Sequence, residues 1–562
     1  MNSGRRDAAS QKALSFASAH RFSWTQFSVV LLIFFVDGGA AAPHVNETHY
    51  LTKAKHYWDV SYCPGDLFLD SADPHQTFYW SLGWLTKFLP LTAVAWIGRV
   101  AAWTMLAAGW QRLSNAVVSA RWASALSAAL WVTLLRDGNR NFAGEWVVGG
   151  IEAKCIAYGF LLFGMAALVR GDWRRPWIWF GAASAFHVLV GAWAVLAALA
   201  VWATEPRGER APLRVLLPGL IGGGLLALVG LVPSLALEWH TDPAVNAEAA
   251  RIYVYDRLPH HLAPLSLPAS ELRGRLFWLG GMLAAFAALW IWLRHRTRRA
   301  EGLHAAAIES AASAARVMRF AAFAVAGALA GLVIELALDH DRLAAARLLR
   351  YYWFRQVDVA LPMALAIVGT GWALAALQSP KIWARSIAVV PLVWAAWFLG
   401  NVTYARWQSN LPPAVWQVEN ASGWQTACEW VSKHAPASAK FLVPRSGHSF
   451  KWYASRADVG TNKDVPQDAA SVIEWRARTR ELFPTLESLD ERGRNILLDS
   501  PELLGTPRVL ELAQKYGASH VIARSSPSLD LPVLYATPVD PDADVSGYTI
   551  YATGVAPTAK TP

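Results

Sequence analysis

The chain has 562 residues, of which 54% are hydrophobic and only 16% charged, and its net charge is +10. Soluble domains carry about 25% charged residues, so a water-soluble enzyme is excluded. The Lys and Arg lie between apolar blocks, which points to orientation at a membrane rather than to nucleic acid.

The apolar blocks run roughly 17–28 residues, the length that crosses a bilayer as a helix. Residues 1–23 carry Arg5, Arg6, Lys12 and Arg21 and read as a cytoplasmic tail before an apolar run, Phe27–Val36. A cleavable signal peptide ending near Ala40-Ala41-Ala42 is the other reading of that start. Within 24–404 the hydropathy predicts about ten segments, near 24–42, 78–110, 117–135, 150–169, 176–203, 212–237, 275–293, 319–338, 355–377 and 383–404. Trp24, Trp80, Trp84, Trp103, Trp173, Trp177, Trp278 and Trp383 stand near block ends, where either an aromatic belt or plain helix packing accounts for them.

The basic loops set the expected topology. Arg112, Arg121, Arg170, Arg174 and Arg175 fall on one side, and the acidic loop 44–75 on the other. If 176–203 crossed once, Arg207, Arg210, Arg214 and the run Arg294–Arg299 would lie outside, against the positive-inside tendency. A re-entrant pair broken at Phe186-His187 removes the conflict. It places the loops 44–75, 136–149 and 238–272 and the C-terminal part on the extracytoplasmic face.

From 405 to 553 the apolar blocks stop. Strands are expected at Lys440–Pro444, Ser519–Ala523, Val533–Thr537 and Gly547–Ala552, and helices at Ala469–Leu482 and Pro507–Tyr516, which together make a small α/β domain. Residues 554–562 read as a disordered tail. Cys63, Cys155 and Cys428 form no framework, though Cys63 and Cys428 can share a compartment and one bridge.

The chemistry-bearing residues cluster in the outer loops. Asn46–Asp59 reads as an amphipathic helix in the membrane interface, with Glu47, Tyr50, Leu51, Ala54 and Trp58 on one face. Glu47 suits a general base held at the membrane surface, and suits equally an N-terminal helix position. Asp66, Asp70, Asp73 and His75 offer oxygen and nitrogen ligands to a divalent cation, or cap turns. Arg136, Asp137, Arg140, Glu145, Glu152 and Lys154 border the fourth segment, where ionisable groups mark either function or the interface. Arg257 with His260 and His261 can grip a phosphate, as can Arg350 and Arg355, the latter spaced to pair with Asp358. The alternatives are a Pro-flanked surface loop and a helix-end ion pair. His187 reads as a core histidine.

An acidic residue followed by His just past the first transmembrane segment resembles the first-loop motif of GT-C glycosyltransferases, such as protein O-mannosyltransferases and aminoarabinose transferases. In that motif an Asp-Glu pair precedes a spacer and His. Glu47 and His49 match the Glu and His, and Asn46 stands where the family has Asp. The resemblance extends to the re-entrant pattern and to the plan of membrane core plus external domain. The chain is also similar to an uncharacterised family of bacterial multi-pass proteins carrying this loop, Pro259-His260-His261 and Phe354-Arg355, which fixes no activity.

The resemblance implies a GT-C-like polytopic helical bundle in a bacterial-type inner membrane, with an extracytoplasmic α/β domain. It implies transfer of a sugar from a polyprenyl-phosphate donor to an acceptor hydroxyl. Glu47, His49, Asp59, Asp66, Asp70 and Asp73 would be the catalytic candidates. Glu145, Glu152, Arg257, His260, His261, Arg350 and Arg355 would hold substrate. No cofactor is required by the sequence, and a divalent cation is compatible with it. The alternative is a non-catalytic membrane component, a lipid-linked glycan transporter or an assembly scaffold, which Asn46 favours.

Overall fold

The computed structural model describes residues 22–135, 141–239, 241–298, 305–489, 495–538 and 546–556. Arg136, Asp137, Arg140, Arg299, the tail 1–21 and the end 557–562 lie outside the described residues. Among the described residues six helices are long and apolar enough to cross a membrane: α3 (Leu91–Val117), α8 (Leu213–Ala236), α10 (Ala269–Arg298), α11 (Ala305–Ala337), α13 (Arg355–Leu377) and α14 (Ile382–Gln408). Four shorter apolar helices, α1 (Trp24–Gly38), α4 (Ala123–Leu135), α5 (Ala153–Val169) and α7 (Val188–Ala203), pack among them. The chain is thus a mainly helical protein of membrane character with a small sheet near its C-terminus.

The bundle has two chemically distinct ends. At one end Ser124 donates to Gln26, Ser310 to the Val117 carbonyl and Ser313 to the Val169 carbonyl. This end carries Arg112, Arg170, Arg174, Arg175, Arg207, Arg210 and Arg214. At the other end lie the first loop, residues 141–152, residues 241–268 and the C-terminal domain.

Residues 176–203 fold back on themselves. Helix α6 (Arg175–Phe186) stops at His187, whose φ of −148° and ψ of 100° are extended, and α7 begins at Val188. A Cβ on Gly191 would sit 2.4 Å from the Phe180 carbonyl oxygen, so the limbs run antiparallel. Their far ends meet at the basic end, where Arg316 contacts both Glu205 and the Val169 carbonyl. Helix α8 then runs beside α6, with Gly219 against Arg174, Gly223 against Trp177 and Gly230 against Ser184. Glycines at this spacing let two backbones touch.

The segment expected at 78–110 is not continuous. A short helix, Gln76–Ser81, and a tight turn precede α3, and Pro90 sets its start because proline has no N–H to donate inside a helix. Among the belt candidates, Trp24, Trp80, Trp84 and Trp383 are exposed, whereas Trp103, Trp173 and Trp177 are buried in helix packing.

Helix α2 (Glu47–Trp58) corrects the interfacial reading. Leu51 and Ala54 are buried against Phe78, Val94 and Ile151, and Trp452 joins the same cluster. Even Lys53 is buried, donating to the Ser71 carbonyl at 2.6 Å. The helix is enclosed between the bundle and the C-terminal domain.

That domain is a five-stranded sheet in the order β2-β1-β5-β7-β6. Strands β1 (Lys440–Leu442), β2 (Ala457–Asp458) and β5 (His520–Arg524) are parallel, and β6 (Val533–Ala536) and β7 (Tyr548–Ala552) antiparallel. A separate hairpin pairs β3 (Thr485–Leu489) with β4 (Asn495–Leu497). Helix α15 (Ala421–His434) covers one face through Trp424 and Cys428, and α17 (Thr506–Tyr516) the other through Val509 and Leu512. Cys63 and Cys428 are both free and buried in different clusters, so the possible bridge is not made.

Candidate functional site

Glu47 opens α2 and is fully buried. Both its oxygens receive Arg99, from Nε and Nη2 at 2.6 Å each. The Ile151 N–H donates to it at 2.8 Å and the His44 N–H at 2.7 Å. Arg99 also donates to the Ala40 carbonyl at 2.5 Å. A two-pronged buried guanidinium pair with two backbone donors uses the carboxylate's acceptor sites. Glu47 therefore ties the end of α1, the first loop, α3 and the start of α5, and has no lone pair left to receive a substrate proton.

The other first-loop carboxylates turn apart. Asp59 is exposed and bonded to Ser61 at 2.5 Å. Asp66 caps Leu69 and reaches Lys451 of the C-terminal domain at 3.2 Å. Asp70 pairs with His56 at 3.2 Å. Asp73 accepts the His75 N–H at 2.7 Å. Each holds a local turn or an inter-element contact. Among the described residues no three His, Cys, Asp or Glu side chains converge as a metal site would require. His49 lies 3.7 Å from Asp464 and packs on Phe68.

A row of buried charges runs behind the loop. Asn46 donates to Glu152 at 3.2 Å. Lys154 bridges Glu152 at 3.2 Å and Glu145 at 3.3 Å. Glu145 takes Arg355 Nε at 3.1 Å and the Tyr158 hydroxyl at 3.3 Å. The loop carrying Glu145 is pinned by Asp358, which accepts the N–H groups of Phe142, Ala143 and Glu145 at 2.7–3.1 Å. The i, i+3 spacing of Arg355 and Asp358 thus serves a different end: Asp358 positions the loop and Arg355 meets its carboxylate.

Arg355 is the hinge between this row and a cavity of about 320 Å³. Its Nη1 donates to His187 Nε2 at 3.0 Å, and Nη2 has no partner among the described residues. Because guanidinium only donates, Nε2 must accept, and the His187 proton sits on Nδ1. That Nδ1 is buried without a partner. His187, read from sequence as a satisfied core histidine, is instead at the tip of the folded-back pair and lines the cavity. Tyr50, His75, Tyr253 and Tyr352 line it as well, with Tyr50 bonded to His75 at 3.3 Å and Tyr253 to Tyr352 at 2.9 Å. The opposite wall is apolar: Gly230, Leu231 and Leu235 of α8. Arg350 also lines the cavity and is paired with Glu238 at 2.5 Å.

The remaining predicted ligands separate. His261 bonds the Ala143 carbonyl and Arg275 the carbonyls of Phe142 and His260, so this stretch is a brace on the pinned loop. His260 stacks near His261 at 4.1 Å, with Arg257 close by. Arg257 makes no ion pair among the described residues, and its Nε is buried without a partner.

Sequence reasoning missed Arg99, His75 as a cavity group, Lys451 and Lys463. A lone arginine inside an apolar segment is itself a signal, so Arg99 was findable. The two lysines stand in a mixed domain where lysine is ordinary.

The part of the C-terminal domain facing the loops is similar, over residues 422–482, to a family described as "Domain of unknown function (DUF6798)". That stretch contains Lys451, Asp458, Lys463 and Asp464. No curated protein matches the chain.

Proposed function

We propose that the protein is an integral membrane glycosyltransferase of GT-C-like plan that moves a sugar from a polyprenyl-phosphate donor to an acceptor hydroxyl. The basic end faces the cytoplasm, by the positive-inside tendency, and the loops and C-terminal domain lie on the extracytoplasmic side. The observation that carries the reading is Arg355, whose Nη2 has no hydrogen-bond partner among the described residues, on a cavity that it lines together with His187, Tyr253, Tyr352 and the apolar residues Leu231 and Leu235 of α8. A phosphate carrying a hydrocarbon chain matches both walls.

In this mechanism the acceptor oxygen attacks the anomeric carbon while the bond to the phosphate oxygen breaks. The leaving phosphate keeps the electron pair, and Arg355 and His187 hold its charge. Glu47 is committed to Arg99, so the acceptor proton passes to His75, which lines the cavity beside its hydrogen-bond partner Tyr50. The tyrosines offer ring faces to the sugar.

The test is release of polyprenyl phosphate from a panel of long-chain polyprenyl-phosphate sugars by the protein in nanodiscs, read by mass spectrometry. Turnover should fall about 100-fold or more in Arg355→Ala and in Arg355→Lys, which keeps the charge without the fork. Asn46 in place of the family's Asp favours a second reading, a non-catalytic binder of the same lipid. Saturable lipid binding that is lost in Arg355→Ala, with no turnover of any donor, would establish that second reading.

A further inference from the structure

Part of the wall around Arg355 comes from outside the helical bundle. Gln467, Ala469 and Val472 of the C-terminal domain line the same cavity as Asn246, Ala249 and Ala250 of α9 (Pro243–Arg251). Packing and charge hold the two sets together. Ala249 and Ile252 are buried against Val465, Ala469, Val472 and Trp475, around the first turns of α16 (Ala469–Leu482). One turn further on, Arg476 donates to Asp256 at 2.8 Å. The cavity is therefore complete only with the C-terminal domain seated on the bundle.

Most polar groups on this wall are already engaged. Tyr50 is bonded to His75, and Tyr253 to Tyr352. Arg350 is paired with Glu238, and the Ser234 hydroxyl donates to the Gly230 carbonyl at 2.8 Å. Two amides remain. Gln467 is half-buried, and its side chain makes no hydrogen bond among the described residues. Asn246 is half-buried too, and its side-chain bond, from Nδ2 to the Thr241 carbonyl, is long at 3.4 Å. An amide both donates and accepts, as a sugar hydroxyl does. A cationic group needs a carboxylate instead, and among the described residues the only one on the wall is Glu238, which Arg350 occupies. At about 320 Å³ the cavity lies near the lower end of ligand sites, about 300–1,000 Å³. That is room for one sugar ring and its phosphate.

We propose that the C-terminal domain completes the donor site, and that Gln467, together with Asn246, reads the hydroxyls of one uncharged monosaccharide. This role rests on the reading in which Arg355 holds the phosphate of a polyprenyl-phosphate sugar. Gln467 takes no part in bond breaking. It selects the sugar, favouring a ring that carries only hydroxyls over one that carries a cationic amine.

The experiment is competition against radiolabelled polyprenyl phosphate bound to the full-length protein in nanodiscs, which needs no turnover. The competitors are polyprenyl-phosphate glucose, polyprenyl-phosphate glucosamine and unlabelled polyprenyl phosphate. Wild type should hold the glucose lipid about tenfold more tightly than the glucosamine lipid. Gln467→Ala should weaken the glucose lipid about fivefold and leave bare polyprenyl phosphate within about twofold of wild type, a contrast that a collapsed fold would not give. Gln467→Glu places a carboxylate on the wall, and should bring the glucosamine lipid level with the glucose lipid or ahead of it. Equal or tighter binding of the glucosamine lipid by wild type overturns the assignment, and so does a glucose lipid indifferent to both substitutions. Either result leaves the Arg355 site standing when Arg355→Ala loses all three lipids. No displacement by any of them removes the lipid-phosphate reading and this one together.

Discussion

A buried carboxylate does one job, and the partners decide which. Glu47 meets two prongs of Arg99 and two backbone N–H groups, so removing its charge leaves a guanidinium stranded in the same fully enclosed place. Glu47→Gln should therefore lower stability by about 3–5 kcal/mol, the range for breaking one partner of a buried pair. Asp59→Asn, at an exposed turn bonded only within the loop, should stay within about 0.5 kcal/mol of wild type. Thermal unfolding in detergent compares the two. A Glu47→Gln protein as stable as wild type yet unable to transfer sugar would return Glu47 to the role of base. Arg355 differs in kind, since two of its nitrogens are used inside the protein and the third is left for something else.

Helix α8 packs through an absence of side chains. A Cβ on Gly223 would lie 2.1 Å from the Trp177 carbonyl oxygen, whereas one on Gly224 would meet nothing within 4 Å. Gly223→Ala should therefore force α8 off α6 and lower the unfolding temperature, with a cost of roughly 1–3 kcal/mol from overpacking. Gly224→Ala should be neutral or raise stability by up to about 1 kcal/mol. Equal effects of the two neighbours would mean that α8 does not rest on α6. This pair also shows what the sequence could say. Hydropathy and charge located the helices, and the arginine-rich loops pointed to the fold-back at His187, because both signals are local and repeated. The strand and helix positions after residue 440 were legible for the same reason. The site was not. Whether Glu47 faces a groove or Arg99, and whether His187 is satisfied, depend on contacts across 52 and 168 residues of chain, which no local pattern carries. Strand β2, two residues long, exists by pairing with β1, and α2 is buried by Phe78, Val94 and Ile151 together with Trp452, so both were hidden likewise.

At the scale of the whole molecule, the C-terminal domain is locked to the bundle by charge at a dry interface. Lys451 meets Asp66 of the first loop at 3.2 Å, and Asp464 at 2.9 Å, and also bonds Asp458. Around that lock stand three histidines that burial holds neutral: His44 and His448 pushed down to about 4, and His260 to about 3. Stability follows the difference in protons bound by the unfolded and folded chains. An unfolded histidine takes its proton near pH 6.5, while these three refuse it until far lower. Between about pH 6.5 and 4 the unfolded chain holds the more protons, so this share of stability is fully present above pH 6.5 and is lost as pH falls. Each group contributes at most about 1.4 kcal/mol per pH unit, less for the half-buried His44 and His260. Asp464 adds to the trend lower down. Burial alone would raise it, but Lys451 outweighs burial and holds it well below the carboxylate range, so its contribution disappears below about pH 4. Asp458 opposes them: burial lifts it to about 7, and it favours the folded state as pH drops from 7 toward 4. His49, beside Asp464, is lowered by burial as well, so the histidines outweigh Asp458 and leave a net loss on acidification. Denaturant unfolding followed by tryptophan fluorescence should give lower stability at pH 4.5 than at pH 7, and His448→Gln should flatten that slope by up to one proton. A chain more stable at pH 4.5 would mean that the histidines are solvated and that the domain does not seal the first loop.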